Sequence, residues 1–240
     1  MLFFKNVFIF TLKYDIIYNE LISERKKTMN YKGKNVPDVV IKRLPRYYRY
    51  LGDYLMQGTT RISSGKLSER MNVTASQIRQ DFNYFGGFGQ QGYGYNVEYL
   101  YNEIAEILGL NEKYKAIIIG AGHLGLALAN HASFEKRGFL ITALFDTDPQ
   151  KVGTVVNGKQ ILNIDNLKEY VKENQISIAI LALPKTEVPD IVNILSECGI
   201  KGLWNFSSAE INVGKEIEVE NVHMSDSLMT LSYKIKQEEK

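Results

Sequence analysis

Near the middle of this 240-residue chain, a short apolar strand runs directly into a glycine-rich turn. Residues 114–119 are rich in isoleucine, and residues 120–125 then read Gly-Ala-Gly-His-Leu-Gly. In such a G-x-G-x-x-G pattern the first glycine makes a tight turn and the second lets backbone N–H groups approach a pyrophosphate. The third lets the next helix pack closely on the strand. The segment predicts a dinucleotide-binding turn, although the motif alone is weak.

The segments that follow support this interpretation. Residues 138–145 form a second apolar stretch that ends in Asp146, 21 residues beyond Gly125. An acid at this place accepts hydrogen bonds from ribose hydroxyls and repels a 2′-phosphate, which favours NAD over NADP. Further strands are predicted at residues 176–182, 202–206 and 216–222, with a helix over 185–199. The alternation predicts a parallel sheet with helices on both faces, the Rossmann arrangement.

The candidate coenzyme-binding residues lie in the glycine turn and at the ends of the strands. They are Gly120, Ala121, Gly122, His123, Leu124, Gly125, Asp146, Thr147, Leu183, Pro184 and Phe206. The expected cofactor is NADH or NAD⁺. We expect no catalytic residue and no metal site.

Charge is divided unevenly along the chain. Residues 30–94 carry ten Lys or Arg and four Asp or Glu, a net charge of +6, whereas residues 95–240 carry a net charge of −6. The basic part indicates a polyanionic partner. The single cysteine, Cys198, excludes a disulfide framework and a cysteine-rich zinc site, and we interpret it as a small packed residue. These features favour a cytoplasmic protein.

The basic part has the pattern of a helix-turn-helix. Apolar residues at spacings of three and four predict one amphipathic helix from Pro37, as its first residue, to Leu55. A second helix is capped by Ser63 and Ser64, and Thr74 caps a third over residues 75–85. The polar residues of this third helix are candidates for reading double-stranded DNA: Ser76, Gln77, Arg79 and Gln80.

A glycine-rich segment with interleaved aromatic residues follows, over residues 86–95. Because glycine permits positive φ, the segment predicts a tight hairpin, the wing of a winged helix. Gly89 and Gly92 would let this hairpin lie close to a phosphate backbone. A flexible linker is the alternative, but linkers rarely carry aromatic residues.

The first residues differ in composition from the rest. Residues 1–11 are apolar except for Lys5, Asn6 and Thr11. A secretory signal is one interpretation, but two polar residues interrupt the apolar stretch and no small-residue cleavage site follows. The stretch is also too short to span a membrane. We interpret Met29 as the native start and expect residues 1–28 to be a poorly ordered, non-native extension.

The end of the chain bears on whether this is an enzyme. Only a short amphipathic helix, residues 226–237, follows the last strand, and this is too little for a substrate domain of a dehydrogenase. The helix suits an arm that docks on a partner subunit, or a terminal helix packed on its own domain. An NAD-dependent dehydrogenase and a non-catalytic NAD-binding subunit remain alternative functions.

Taken together, these motifs are similar to those of a known family. The chain resembles the Rex family of bacterial redox-sensing transcriptional repressors over about residues 36–235. The most specific stretches are residues 77–86 (Gln-Ile-Arg-Gln-Asp-Phe-Asn-Tyr-Phe-Gly) with their glycine-rich continuation, 120–125, and 199–206 (Gly-Ile-Lys-Gly-Leu-Trp-Asn-Phe).

The resemblance implies a homodimer whose C-terminal helix is swapped between subunits, and a repressor that leaves operator DNA when NADH binds. It implies that Ser63, Ser64 and Arg79 contact DNA and that Arg43 contacts phosphate. The expected fold is α/β. After an extension over residues 1–29 come a winged helix-turn-helix domain (30–110), a Rossmann domain (111–222) and a C-terminal dimerisation helix (223–240).

Several positions depart from the family pattern. Gln80 stands where many members have a lysine, directly after the position of Arg79 on the third helix. The operator sequence is therefore expected to differ from the common family sequence. His131 matches a tyrosine that changes hydrogen-bond partners, and His223 matches an acidic position. His123 lies in the phosphate loop, where others often carry Asn or Arg. The family's switch therefore does not transfer atom for atom.

Overall fold

A computed structural model of the chain describes residues 28–31, 34–90 and 92–238, in two compact units, Met1–Gly109 and Leu110–Lys240. Of the expected extension, residues 1–28, residues 1–27 lie outside the described residues, and Thr28 is the first residue of the first strand. The elements of the first unit are β1 (Thr28–Tyr31), β2 (Lys34–Pro37), α1 (Asp38–Ile41), α2 (Leu44–Met56), β3 (Arg61–Ile62), α3 (Ser64–Met71), α4 (Ala75–Asn83), β4 (Gly89–Gln90), β5 (Gly94–Asn96) and α5 (Val97–Ile107).

The single helix predicted from Pro37 to Leu55 is wrong, because the chain forms two helices there. Pro37 ends β2 with extended backbone (φ −61, ψ 140) and is not helical. Helix α1 stops at Ile41, and α2 starts at Leu44 with Pro45 in its first turn. Proline has no backbone N–H to continue the hydrogen-bond ladder of α1, so a new helix must begin there.

Helices α3 and α4 form the predicted helix-turn-helix, each capped as the sequence indicates. The Ser63 and Thr74 side-chain oxygens accept hydrogen bonds from the N–H groups three residues on. Asn72 takes the left-handed conformation (φ 53) that reverses the chain between the two helices. The recognition helix α4 buries Ile78 and Phe82 and ends at Asn83, two residues earlier than predicted.

The glycine-rich segment forms a hairpin, as predicted, and not a linker. β4 and β5 are antiparallel, and β5 also pairs with β3, so the three strands make a small sheet in the order β3-β5-β4. Gly94 has a φ of +69, and a Cβ there would lie 2.6 Å from the Ile62 carbonyl oxygen. This fold of the first unit is a winged helix-turn-helix.

The second unit is a doubly wound α/β domain. Its elements are β6 (Tyr114–Ile119), α6 (His123–Ala129), α7 (Ser133–Lys136), β7 (Phe139–Asp146), β8 (Val155–Val156), β9 (Lys159–Asn163), a 3₁₀ turn (Ile164–Asn166), α8 (Leu167–Asn174), β10 (Ile178–Leu181), α9 (Val188–Glu197), β11 (Gly202–Asn205), β12 (Glu218–Asn221) and α10 (Met224–Glu238). The sheet order is β12-β11-β10-β6-β7-β9-β8, parallel except for β8. The parallel Rossmann sheet is therefore confirmed, while β8, β9 and α8 were not predicted.

The two faces of this sheet are covered differently. One face buries Ile117, Phe145 and Leu203 beneath apolar residues of α8 and α9. On the other face the short helices α6 and α7 cover Ile118 and its neighbours, with Phe134 of α7 against Trp204. No helix lies between β11 and β12 in the chain. A largely apolar cavity of about 340 Å³ lies on this second face, lined by Ala116, Phe134, Arg137, Phe139, Ile141, Ile178, Ile180 and Trp204.

Candidate functional site

The glycine turn has the shape that the motif predicts. Gly120 has a φ of +98, and a Cβ there would collide with the carbonyl oxygen of Ala182. A Cβ on Gly125 would collide with the carbonyl oxygen of Gly120, so α6 can approach β6 this closely only with glycine there. Gly122, at the N-terminus of α6, has open space around it. The turn thus forms a cradle of backbone at the carboxyl end of β6.

Asp146 stands at the end of β7, beside this cradle. Its carboxylate accepts hydrogen bonds from the N–H groups of Ala121 at 2.8 Å and Asp148 at 2.9 Å, and from Lys151 Nζ at 3.2 Å. Burial alone would raise the pKa of the Asp146 carboxyl, but these three hydrogen bonds outweigh it, and the pKa lies below its ordinary value. The carboxylate is therefore ionised at neutral pH.

A crevice of about 770 Å³ opens where the strands end. Several predicted coenzyme residues line it: Gly120, Gly122, Asp146, Thr147, Leu183 and Pro184. The others lie elsewhere. Ala121 and Gly125 are buried in the turn, Leu124 is half-buried, His123 is exposed, and Phe206 packs against Trp204. The crevice has the volume of a small-molecule site and sits where doubly wound sheets bind their ligands.

The sequence did not indicate some of the residues that line this crevice. Lys151, Ile164, Lys168 and Ile191 line it. Lys151 follows Asp146 by five residues, and a search for a cation beside the strand-end acid would have found it. The other three come together only through the packing of the 3₁₀ turn, α8 and α9.

In the first unit, Ser63, Ser64, Arg79, Gly89 and Gly92 line one shallow depression of about 600 Å³ between the recognition helix and the wing. Arg79 Nη1 donates a hydrogen bond to Ser64 Oγ at 2.9 Å. The helix thus presents a cation beside a glycine-rich surface that leaves room for a phosphate backbone.

The remaining predicted DNA-contacting residues separate into two groups. Ser76 and Gln80 are exposed on α4. Arg43 and Gln77 instead bond to the buried carboxylate of Asp81: Arg43 through two hydrogen bonds of 2.6 Å, and Gln77 through one of 2.9 Å. The Arg43 side chain is 17% exposed. Arg43 therefore ties the recognition helix to the start of α2, whereas Gln77 bonds to Asp81 within the recognition helix itself.

Within the described residues, no helix has both the length and the apolar composition to cross a bilayer. Among the same residues, no three His, Cys, Asp or Glu side chains gather where they could hold a metal ion.

Comparisons with known proteins cover both units of the chain. Residues 35–83 match the family model described as "Putative DNA-binding protein N-terminus", and residues 111–209 match the "CoA binding domain" model. A protein of Caldicellulosiruptor saccharolyticus named redox-sensing transcriptional repressor Rex is 53% identical over 205 residues, covering 85% of this chain and 94% of that protein. A protein of the same name from Clostridioides difficile is 51% identical over 205 residues, covering 85% and 98%.

Solved structures of a similar repressor, called RSP, agree with this. Its complex with β-NAD⁺ and operator DNA superposes with a TM-score of 0.79 at 50% identity, over 84% of this chain and 93% of RSP. Its complex with β-NADH gives 0.80 at 46% identity, over 85% and 96%. With identity near one half along most of its length, the chain belongs to the Rex family of redox-sensing transcriptional repressors.

Proposed function

We propose that this protein represses transcription by binding operator DNA, and that it senses the balance of NADH and NAD⁺, leaving the operator when NADH binds. The observation that carries the proposal is that one chain holds both a winged helix-turn-helix and a dinucleotide crevice. The similar repressor RSP has been crystallised with β-NAD⁺ and operator DNA and with β-NADH. Membership in a family of repressors sets aside the dehydrogenase and NAD-binding-subunit alternatives.

The residues that would hold the coenzyme follow from the crevice. The open space at Gly122 leaves room for a pyrophosphate, with Gly120, Ala121, His123, Leu124 and Gly125 completing the turn. The ionised Asp146 accepts hydrogen bonds from ribose hydroxyls, with Thr147 next to it. Leu183, Pro184, Phe206 and Met224 offer apolar surface near the strand ends, which favours the neutral reduced ring over the cationic oxidised ring.

For DNA, we propose that Arg79 and Gln80 read base edges, as arginine pairs with guanine and glutamine with adenine. Ser63, Ser64 and Ser76 would hold phosphates, and Gly89 and Gly92 would bring the wing against the backbone. Arg43 would contribute through Asp81 by fixing the angle of the helix, and Gln77 would orient the Asp81 carboxylate from within the same helix. We place the protein in the cytoplasm, where operator DNA is found.

We also propose a homodimer. The apolar side chains of α10 face solvent, with Leu228 67% and Tyr233 65% exposed, and Met229, Leu231 and Ile235 more than half exposed. The second face of the sheet carries an apolar cavity of about 340 Å³. The exposed apolar side chains of α10, together with the apolar cavity on the sheet, indicate burial against a second subunit. Two recognition helices would then reach successive major grooves.

The test is binding of a labelled operator fragment, titrated separately with NADH and with NAD⁺. We expect NADH to weaken operator binding strongly and NAD⁺ to leave it intact. A full switch from 1:99 to 99:1 requires roughly 5.5 kcal/mol of differential affinity between the two states. Equal sensitivity to the two coenzymes would contradict redox sensing.

A further inference from the structure

The strand β11 ends in a buried asparagine with an unusually complete set of side-chain hydrogen bonds. Asn205 Nδ2 donates to the Ala209 carbonyl oxygen at 3.0 Å and to Asn221 Oδ1 at 2.8 Å. Asn205 Oδ1 accepts from Ser207 N at 3.0 Å and from Ser207 Oγ at 2.6 Å. Asn205 is fully buried. A buried polar group that loses its hydrogen bond costs free energy. Asn205 and its partners are therefore expected to move together.

On one side this asparagine is connected to the coenzyme crevice. It pairs in register with Leu181 of β10, and the next residue, Phe206, donates its N–H to the Leu181 carbonyl oxygen at 3.0 Å. The three residues after Leu181 (Ala182, Leu183 and Pro184) form a wall of the crevice. A shift of this wall would therefore pull on Leu181, which is hydrogen-bonded to Phe206, the residue next to Asn205.

On the other side Asn205 is connected to the start of the C-terminal helix. Its carbonyl oxygen accepts the Val222 N–H at 2.8 Å, and its side chain binds Asn221, its register partner in β12. Helix α10 begins two residues after Val222, at Met224. β12 lies at the edge of the sheet and pairs only with β11 among the described strands. The Asn205–Asn221 bond adds a side-chain link to this one-sided attachment.

We propose that Asn205 and Asn221 form a positioning pair that conveys coenzyme occupancy from the crevice wall to the root of α10. The inference rests on the proposed function, since it concerns how the same site acts on the helix that we assign to the dimer contact. Coupling between separated sites requires a connected element that both sites bias. The hydrogen bonds from Leu181 through Phe206 and Asn205 to Asn221 and Val222 supply the connection between the crevice wall and α10.

A purely structural role for the pair makes a different prediction. If the bond only stabilised the end of β12, its removal would lower the stability of the unit and leave the response to NADH unchanged. A positioning role predicts a change in the response itself. The quantity to measure is the coupling factor, defined as the operator Kd at saturating NADH divided by the operator Kd without coenzyme.

The experiment compares four full-length proteins: the wild type, Asn221→Ala, Asn221→Asp and Glu220→Ala. Asn221→Ala removes the acceptor of the Asn205 side chain, which keeps its bond to Ala209, while Asn221→Asp retains an acceptor oxygen. Glu220 is the preceding exposed residue of the same strand and serves as the matched control. NADH affinity and operator Kd are measured for each, with far-UV circular dichroism as the check of folding.

We expect Asn221→Ala to bind NADH and operator within about twofold of the wild type but to lose about tenfold in the coupling factor. Asn221→Asp and Glu220→Ala are expected to keep the wild-type factor. A wild-type factor in Asn221→Ala, with the wild type itself released by NADH, overturns the positioning role alone. A factor lost equally in Asn221→Asp, in which the acceptor remains, also overturns it. A wild type that NADH does not release overturns the proposed function, and the positioning role with it.

Should Asn221→Ala lose its fold, Asn221→Ser provides the same comparison, because its shorter side chain withdraws the acceptor while keeping a polar group at the exposed strand end. The same loss of coupling is expected, and an unchanged factor overturns the inference.

Discussion

The guanidinium of Arg43 donates two hydrogen bonds of 2.6 Å to the carboxylate of Asp81. This pair joins the start of α2 to the recognition helix. Tyr47 Oη, also on α2, donates a further hydrogen bond to the carboxylate at 2.8 Å. Burial, together with the bond to Asp81, raises the pKa of the Tyr47 hydroxyl, so it remains a neutral donor. The angle of the recognition helix is thus set by one fully buried carboxylate.

Removing the cation should be costly. Arg43→Met leaves Asp81 buried with its negative charge uncompensated, and we expect a loss of about 3–5 kcal/mol in the free energy of unfolding of the first unit. Urea unfolding by circular dichroism measures it, while fluorescence of Trp204, the only tryptophan, reports the second unit separately. The control is Lys42→Met, which removes an ion pair with Asp38 in which the lysine side chain is 63% exposed. If Arg43→Met and Lys42→Met lowered the free energy of unfolding equally, the buried Arg43–Asp81 pair would have no special role in stability.

Arg79 is the residue that we expect to carry sequence reading. Arg79→Ala should weaken operator binding by about 1–3 kcal/mol, relax specificity at one base pair, and leave NADH affinity unchanged. Binding of operator variants in a mobility-shift assay measures all of this. Lys215→Ala, an exposed cation of the second unit, serves as the control and should change nothing. Undiminished operator affinity in Arg79→Ala would remove the assigned role.

Two glycines of the turn should respond differently to the same substitution. Gly122→Ala adds a Cβ into open space, so the fold should persist, but that space is where a pyrophosphate would lie, and NADH binding should fall sharply. Gly125→Ala drives a Cβ into the Gly120 carbonyl oxygen and should lower both thermal stability and NADH binding. Melting curves and NADH fluorescence titrations separate the two outcomes. Full NADH affinity in Gly122→Ala would place the pyrophosphate elsewhere.

Lys151 should affect the choice between coenzymes. Its ammonium partly offsets the charge of Asp146, which repels a 2′-phosphate, so Lys151→Met should weaken NADPH binding more than NADH binding. Lys168→Met is the matched control, because Lys168 also lines the crevice but pairs with Glu197 at 2.7 Å. The ratio of the two coenzyme affinities is the measurement. A ratio that moves in the opposite direction would contradict this role of Lys151.

The exposed apolar residues of α10 should hold two subunits together. Leu231→Glu places a charge on this helix, and we expect the mass in sedimentation to fall from about twice 27.4 kDa to that of a single chain. Lys234→Glu changes the charge of the same helix without removing an apolar side chain and should remain dimeric. A dimer that survives Leu231→Glu would locate the contact elsewhere.

The parts of the fold that could be predicted are those in which local chemistry and tertiary structure agree. The strand before Gly120, the cap at Thr74 and the strand-end Asp146 all have local causes, and the structure places them as the sequence indicates. The continuous first helix failed because apolar spacing persists across Pro45, which nevertheless starts a new helix. At this position the proline indicated the helix boundary correctly, and the apolar periodicity did not.

Other features were missed for different reasons. The β8–β9 hairpin has its signal in Asn157-Gly158, whose φ angles of 48 and 73 suit a tight hairpin turn. Just before this hairpin, Asp148 and Pro149 enter a turn in which Asp148 Oδ1 accepts the Gln150 N–H. The ion pair of Arg43 and Asp81 joins residues 38 positions apart, so no local sequence pattern predicts it.

The exposed apolar surface of α10 makes the stability of the protein depend on its concentration in solution. A subunit whose apolar surface is satisfied only by another copy gains stability by mass action, so its melting temperature should rise with total concentration. At low expression a larger fraction of such chains would be single subunits, and these are more open to proteolysis. The concentration of the protein would therefore help to keep it folded.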